Sequence, residues 1–484
     1  MINSDSPSTD SPAPPTTIIV GGVAGGMSAA TRLRRLDESA QIVVFEKGHY
    51  VSFANCGLPY YVGGVIQDRA SLLLQTPDSL ASRFRLDVRV DHEVTAIDRD
   101  ASTVSVTNTL TGEKSTHHYD RLILAGGATT PYQAEGAIPT HTLRSIDDVD
   151  HITSTLSSLG RTASAVVIGG GFIGLEAVEN LVGRGLHVTL VQRGAQVMSP
   201  LDPEMVAPVT AHLRAQGVDV RVDSTVASAA DGIVELSDGS RVNADLVIEA
   251  LGVHPDTRLA KSAGLRIGAS GGIAVDDAQR TSDPRIYAVG DGAEKVDAIS
   301  GEGTLVTMAG LANRHGRAAA DSIAGTVTPA PPALGTAIVG VFDLTVAMVG
   351  WSEKRLIEAG RPYRAIHTHP ASHAGYYPGA ESMAIKLLVD PDTDTILGAQ
   401  IVGGEGTDKR IDVLAVAMTA GLTASALSLL ELAYAPQYGS AKDPINHLGY
   451  VAENLATGTT ASVQWHELAA EREAGAVLID VRSA

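Results

Sequence analysis

Cys56, in the stretch SFANCGLPYY at residues 52–61, is the only cysteine of the 484-residue chain, so its thiol has no internal disulfide partner. An oxidised Cys56 must therefore be stored as an oxygen acid of sulfur or as a disulfide with a group from outside the chain. The opposing expectation for a lone cysteine is a buried, inert apolar side chain. Far downstream, tyrosines recur in two short motifs, HAGYYPGA with Tyr376 and Tyr377 and YAPQYGS with Tyr434 and Tyr438. A phenol can hydrogen-bond a sulfur or protonate a leaving thiolate, although tyrosine serves more often as an amphipathic packing residue. Near the N-terminus Ser28, Arg32 and Arg35 stand at i, i+4 and i+7, on one face of a helix. Such a face clamps phosphates or simply lies in water. His367, His369 and His373 fall in a strand and loop without acidic or thiol ligands, so no metal site is assigned.

Two glycine-rich turns must position these groups. In TIIVGGVAGGMSAATRLRRL a β-branched run from Thr17 to Val20 enters glycines, and a helical pattern starts near Ala24. The following strand, QIVVFEKG, ends in Glu46, a carboxylate suited to the ribose hydroxyls of an adenosine. The second turn, SAVVIGGGFIGLEAVENLVGRGLHVTLVQRG, repeats the plan with Gly169, Gly171 and Gly174. The first glycine permits the tight turn, the second admits a pyrophosphate close to the backbone, and the third packs helix on strand. The helix N-terminus that follows offers unpaired N–H groups and a positive dipole end to phosphates. Each turn departs from the pattern once. Val23 stands where the middle glycine of the first is expected, and Gln192 and Arg193 stand where the second should supply an acid. A carboxylate there would repel a 2′-phosphate that an arginine binds, so NADPH suits the second site at least as well as NADH.

Composition narrows the classes further. The chain exceeds the length at which one core keeps growing, so two to four domains are expected. It holds 50 glycines, and its formal charge of −19 gives no basic footprint for nucleic acid. The N-terminal MINSDSPSTDSPAPPTT has neither the basic residues nor the apolar run of a targeting peptide. No apolar stretch reaches the length of a membrane span. A cytoplasmic protein is the expectation, and reducing conditions there would suit a working thiol.

A third signature, TSDPRIYAVGD at 281–291, has a strand from Ile286 to Val289 ending in Gly290 and Asp291, and YDRLILAGGATTP occupies 119–131. Together these four motifs resemble the pyridine nucleotide disulfide oxidoreductases, flavoproteins with two dinucleotide-binding domains, over roughly residues 16 to 455. The resemblance implies an α/β fold with two Rossmann-like domains, for FAD and NAD(P), and a C-terminal α+β dimerisation domain. Its expected boundaries are a disordered tail at 1–16, a discontinuous FAD domain at 17–135 and 262–330, an NAD(P) domain at 136–261 and an interface domain at 332–457. Gly21, Gly22, Gly26, Glu46, Lys47, Ala125, Gly126, Gly290 and Asp291 would then serve FAD, with Asp291 on the ribityl chain. Gly169, Gly171, Phe172, Ile173, Gly174, Glu176, Arg193 and Gly252 would serve the nicotinamide cofactor. Phe172 would gate the nicotinamide by stacking, and Glu176 would help to position it.

The dithiol members of the family place a second cysteine shortly after the first, and CGLPYY has none. SFANCGLPYY instead resembles the single-cysteine branch, most closely the coenzyme A disulfide reductases, whose cysteine alternates between thiol and a mixed disulfide with coenzyme A. In that branch Ser28, Arg32, Arg35, Ser52, Asn55, Asn313 and Lys442 match the lining of the coenzyme A channel. Arg32 is not the residue usual at its position. Tyr376 and Tyr434 match a pair that the partner subunit of a homodimer projects toward the cysteine. The oxidases and peroxidases of the branch, which cycle a sulfenic acid, resemble the pattern with a histidine in the first glycine turn, where this chain has Ala24. The segment 458–484, TASVQWHELAAEREAGAVLIDVRSA and the residues before it, resembles the opening of a rhodanese domain: a short helix, then a strand ending in Asp480 and Arg482. The activity implied is reduction of coenzyme A disulfide by NAD(P)H through FAD and Cys56. A coenzyme A persulfide or polysulfide reductase is the runner-up, and a flavin redox sensor is the non-enzymatic alternative.

Overall fold

In TTIIV the side chains alternate between two faces, and both faces are covered. Thr16–Val20 pairs in parallel with Gln41–Phe45 on one side and with Arg121–Leu124 on the other. The computed structural model describes residues 14–131, 138–160 and 163–481, so most of the expected N-terminal tail lies outside the described residues. The parallel sheet runs Ile286–Ala288, Arg121–Leu124, Thr16–Val20, Gln41–Phe45, Asp87–Arg89. Ile19, Ile42, Val44 and Ile123 pack with Met27, Leu33 and Ala319 from two helices, Ala24–Leu36 and Ala309–Ile323. Ile18, Val20, Phe45 and Leu122 face the other way, onto Val94, Val104 and Val106 of a three-stranded antiparallel sheet. A strand buried on both faces is the hallmark of a parallel sheet, and the two neighbours of Thr16–Val20 create a switch point at its carboxyl end.

The described parts of residues 1–169, 180–187 and 226–333 form one compact unit, and those of 170–179, 188–225 and 334–484 form the other. The first unit also contains parallel strands of the second glycine turn, with Leu246–Glu249 between Ser164–Ile168 and Thr140–Thr142. In the second unit Thr189, Leu190 and Val191 pair in parallel with Asp219–Arg221. That unit is dominated by an antiparallel sheet in the order Ala337–Val341, Leu344–Gly350, Ile396–Gly403, Ala384–Val389, Arg364–Thr368. All eight residues of Ile396–Gly403 are buried. One face carries the helices Thr407–Thr419 and Pro444–Ala456 over a core that includes Ile385, Leu387, Ile401, Leu414 and Leu448. The α/β architecture with a C-terminal α+β domain is therefore the one expected.

Lys386 is fully buried in that unit, and its ammonium meets Asp202 at 2.9 Å, Glu204 at 2.5 Å and Glu353. Gln400 exchanges two bonds with Asp202, at 2.8 and 2.7 Å. Burial pushes Glu353 up, but the bonds from Lys386 and Tyr363 outweigh it and hold the carboxyl below its ordinary 4.5. Burial pushes Lys386 down, and the three acids outweigh it, so the ammonium is held above its ordinary 10.5. The contribution of Glu353 is thus present above 4.5 and lost as pH falls through its lower folded value; that of Lys386 is present below 10.5 and lost as pH rises through its higher one. Lys386→Met is expected to destabilise the protein by about 3–5 kcal/mol at neutral pH, by leaving buried carboxylates uncompensated. Denaturant melts at pH 7 and pH 4 check this, and the loss should be smaller at the lower pH.

The C-terminal segment corrects the sequence reading. Leu468–Glu473 is helical, but 476–481 forms no strand, and Val477, Leu478, Ile479 and Val481 are exposed by 64–91%. A strand needs a partner edge to satisfy its backbone, and among the described residues none pairs with 476–481. Arg482 lies outside the described residues.

Candidate active site

The first glycine turn leaves no room for other residues. Gly21 has φ +105°, and a Cβ on it would stand 2.3 Å from the carbonyl oxygen of Ala125. A Cβ on Gly26 would stand 1.9 Å from the Gly21 oxygen. Gly22 N–H donates to Oε2 of Glu46 at 2.7 Å, and Gly48 N–H donates to Oε1 at 2.9 Å, so the carboxylate is anchored at the mouth of the turn. Lys47 beside it is exposed. No side chain caps the Ala24–Leu36 helix, whose first N–H groups are thereby left to a ligand. A Cβ on Gly126 would enter open space. Asp291 sits in the single turn Gly290–Gly292; burial pushes its carboxyl up, and Lys295 and Arg144 oppose the rise. The cradle of close backbones, the anchored Glu46 and the half-buried Asp291 fit a dinucleotide such as FAD.

The second turn reproduces the first with one substitution of chemistry. Gly169 has φ +107°, and its Cβ would meet the Ala250 oxygen at 2.3 Å. Gly170 N–H donates to Oε1 of Gln192 at 2.9 Å, as Gly22 does to Glu46. Gln192 therefore keeps the structural bond of the missing acid without its charge. Side chains on Gly171 or Gly252 would enter open space. Ile173 is 39% exposed at the start of the Phe172–Gly183 helix, next to half-buried Phe172 and buried Gly174, with Glu176 one turn on. Arg193 is exposed beside Gln192.

Cys56 lies in the single turn Asn55–Gly57 that leads into the Leu58–Gly63 helix, and it is exposed, so the inert-core expectation fails. Its loop is tied to the first glycine turn. Ser52 N–H donates to the Gly22 oxygen at 2.8 Å, and Ser52 adopts φ +49°, a left-handed conformation costly for a residue with a side chain. Asn55 Nδ2 reaches the Arg144 oxygen at 3.4 Å. At the far end of the helix Gly63 lies so close to Asn180 that a Cβ would fall 1.9 Å from its Oδ1, and Arg184 Nε donates to the Val62 oxygen at 2.8 Å.

The structure brings some of the remaining candidates together. Ser28 Oγ donates to Asn313 Oδ1 at 2.8 Å, joining two helices whose close approach needs Gly316, where a Cβ would stand 2.2 Å from the Gly25 oxygen. Arg32, by contrast, is paired with Asp321 at 2.6 Å, and the exposed Arg35 has its guanidinium 5.9 Å from the ring centroid of Phe84. In the second unit the hydroxyls of Tyr376 and Tyr434 meet at 2.9 Å, although 58 residues separate them. The bond to Tyr434 raises the Tyr376 phenol above its ordinary value. These rings are 76% and 49% exposed, which is not the behaviour of packing residues. Lys442 is exposed. Of the three histidines, His373 is buried with Nδ1 at 3.2 Å from the Ala374 oxygen, and His367 is pushed down by burial and Lys386. Sequence reasoning missed Ser52's strain, Lys295 and Arg144, because nothing local in the sequence marks them.

Comparison with known proteins gives the family. The family description "Pyridine nucleotide-disulphide oxidoreductase" matches residues 15–311, and the dimerisation domain of the same family matches 336–443. A coenzyme A disulfide reductase of Staphylococcus aureus (strain JH9) is 36% identical over 440 residues, covering 91% of this chain and all of that protein. The structure of reduced Bacillus anthracis CoADR-RHD superposes with a TM-score of 0.92 at 45% identity, over 96% of this chain and 84% of that one. That of an NAD-dependent persulfide reductase from A. fulgidus gives 0.89 at 36% identity, over 94% and 86%. No helix among the described residues is long and apolar enough to cross a membrane. The chain belongs to the pyridine nucleotide-disulphide oxidoreductases, enzymes that use FAD and NAD(P)H.

Proposed function

We propose that this chain reduces coenzyme A disulfide with NAD(P)H, through a mixed disulfide between Cys56 and coenzyme A. The observation that carries the reading is Cys56 itself: the sole cysteine, exposed, in a strained loop bonded to the first glycine turn. When bound, FAD supplies the two-electron relay between nicotinamide and sulfur. Residues of the first turn, with Glu46 and Asp291, hold it; residues 136–261, with Phe172 and Glu176, receive the nicotinamide.

The Cys56 thiolate attacks one sulfur of coenzyme A disulfide, forming the Cys56–coenzyme A bond and expelling one coenzyme A thiolate. Two electrons from NAD(P)H then break that bond, giving back the Cys56 thiolate and a second coenzyme A thiolate. With one further proton the balance is one NAD(P)H and one disulfide consumed, and two thiols released. Ser28, Asn313, Arg35, Ser52, Asn55 and Lys442 bind the coenzyme A, while Arg32 supports this face through Asp321. The chain acts as a homodimer, in which Tyr376 and Tyr434 of one subunit serve the thiol of its partner. Steady NADPH oxidation with coenzyme A disulfide tests the reading; a protein that is oxidised once and then stops is a redox sensor instead. The likeness to a persulfide reductase supports a second reading with the same residues, coenzyme A persulfide reduction, and higher turnover on the persulfide would favour it.

The nicotinamide preference follows from Gln192 and Arg193. Arg193→Ala is expected to weaken NADPH binding by about 1.5–3 kcal/mol, the worth of a charged hydrogen bond, and NADH binding far less. Titration of each nucleotide measures both affinities, and equal losses would defeat the assignment.

A further inference from the structure

One buried ammonium in the first unit has no part in the scheme above. Lys295 is 5% exposed, and its Nζ donates to the carbonyl of Gly290 at 2.6 Å and to that of Ala293 at 2.7 Å. Those carbonyls bracket Asp291 and Gly292, in the turn that follows the Ile286–Ala288 strand. Apart from Lys295, the Gly290 carbonyl is held within the turn by one long backbone bond, from Ala293 N–H at 3.2 Å, while Ile273 N–H donates to the Gly292 oxygen at 2.8 Å from outside it; Gly290 is left-handed at φ +77°. No side chain caps it. Asp291 and Lys295 also feel each other's charge: Lys295 draws the Asp291 carboxyl down against burial, and Asp291 draws the ammonium up against the burial that pushes it to about 8.

The surroundings offer Lys295 little else. His315, on the Ala309–Ile323 helix, is 2% exposed, and neither ring nitrogen has a partner among the described residues. Burial, with Lys295 and Arg314 adding to it, pushes this imidazole down to about 4, so at neutral pH it brings no second positive charge. Taking an ammonium out of water is costly, and a methionine could fill the same volume without that cost. The charge is therefore expected to serve the site that it touches.

We propose that Lys295 is a positioning residue for the flavin: acting through Asp291, it pins by two carbonyls the Gly290–Gly292 turn from which the Asp291 carboxylate meets the ribityl hydroxyls. This rests on the assignment of Asp291 to FAD made above.

The test is release of FAD from the holoenzyme on dilution, followed by the rise in flavin fluorescence, for wild type, Asp291→Ala, Lys295→Met and the double variant. Each single change is expected to loosen FAD about 10-fold or more, and the double variant to be within about 2-fold of Asp291→Ala alone, because two residues acting through one contact are not additive. The midpoint potential of the flavin still bound in Lys295→Met should move to more negative values, since a nearby positive charge has gone. Losses that multiply, wild-type retention of FAD in Lys295→Met, or an unmoved potential would overturn the proposal. Lys295→Gln, which keeps a donor but no charge, replaces the methionine variant should that fail to fold, with the same shifts expected. If Asp291→Ala retains FAD like wild type while Lys295→Met releases it, the assignment of Asp291 fails instead, and Lys295 does not act through it.

Discussion

Replacing Cys56 with Ser is expected to lower NADPH-driven reduction of coenzyme A disulfide by roughly 10³-fold or more, while the protein keeps its FAD. A serine oxygen cannot form the mixed disulfide, and no second cysteine exists to take over. FAD should survive because the cradle proposed for it, backbone around Gly21, Gly26 and Gly290 with Glu46 and Asp291, does not depend on the sulfur. The stored form of the oxidant is testable on the same preparations. Mass spectrometry of oxidised wild type, denatured without reductant, should show coenzyme A on Cys56, and a reductant should release about one coenzyme A per chain at full occupancy. The serine variant should carry none. Finding only added oxygen on Cys56 in fully active protein would replace this chemistry with a sulfenic acid cycle.

The second large effect is expected at the tyrosine pair. Tyr434→Phe or Tyr376→Phe should slow disulfide turnover by about 10²-fold or more, the usual scale of a positioned proton donor. The two hydroxyls share one hydrogen bond at 2.9 Å, and either can be its donor, so removing one changes the donor available to a leaving thiolate as well as its partner. Flavin reduction by NADPH should remain nearly intact, because no sulfur is protonated in that half of the reaction. Stopped-flow absorbance separates the two halves. A parallel collapse of flavin reduction would assign the tyrosines to folding or FAD binding. Since Tyr376 is 76% and Tyr434 49% exposed, neither ring sits in the core and thermal stability is expected to change little.

Much of the site is written in short contiguous stretches. The strand–turn–helix pattern at Thr17–Ala24 and again at Ser164–Phe172 could be read directly, because short apolar runs and obligatory glycines act over a few residues of backbone, and the structure has those elements. That Cys56 lacks an internal partner needs only a count of cysteines. The tail shows where local reading ends. Its short apolar run suggested a strand, but a strand exists only when another edge accepts its backbone bonds, and 476–481 forms none among the described residues.

What residues do to each other at long range was settled only by the fold. Ser28 and Asn313, 285 positions apart, and Tyr376 and Tyr434, 58 apart, became bonded pairs because helix and loop packing brought them together. Arg32 and Arg35 looked alike on one helical face, yet Asp321 from a distant helix claims the first and leaves the second exposed. Gln192 looked in sequence like the mere loss of an acid, and the structure gives it the bond to Gly170 that Glu46 makes to Gly22. Glycine spacing and residue counts are properties of the chain alone. Burial, charge pairing and the choice of hydrogen-bond partner depend on which distant groups share a low-dielectric space, and that is decided only when the sheets and helices pack.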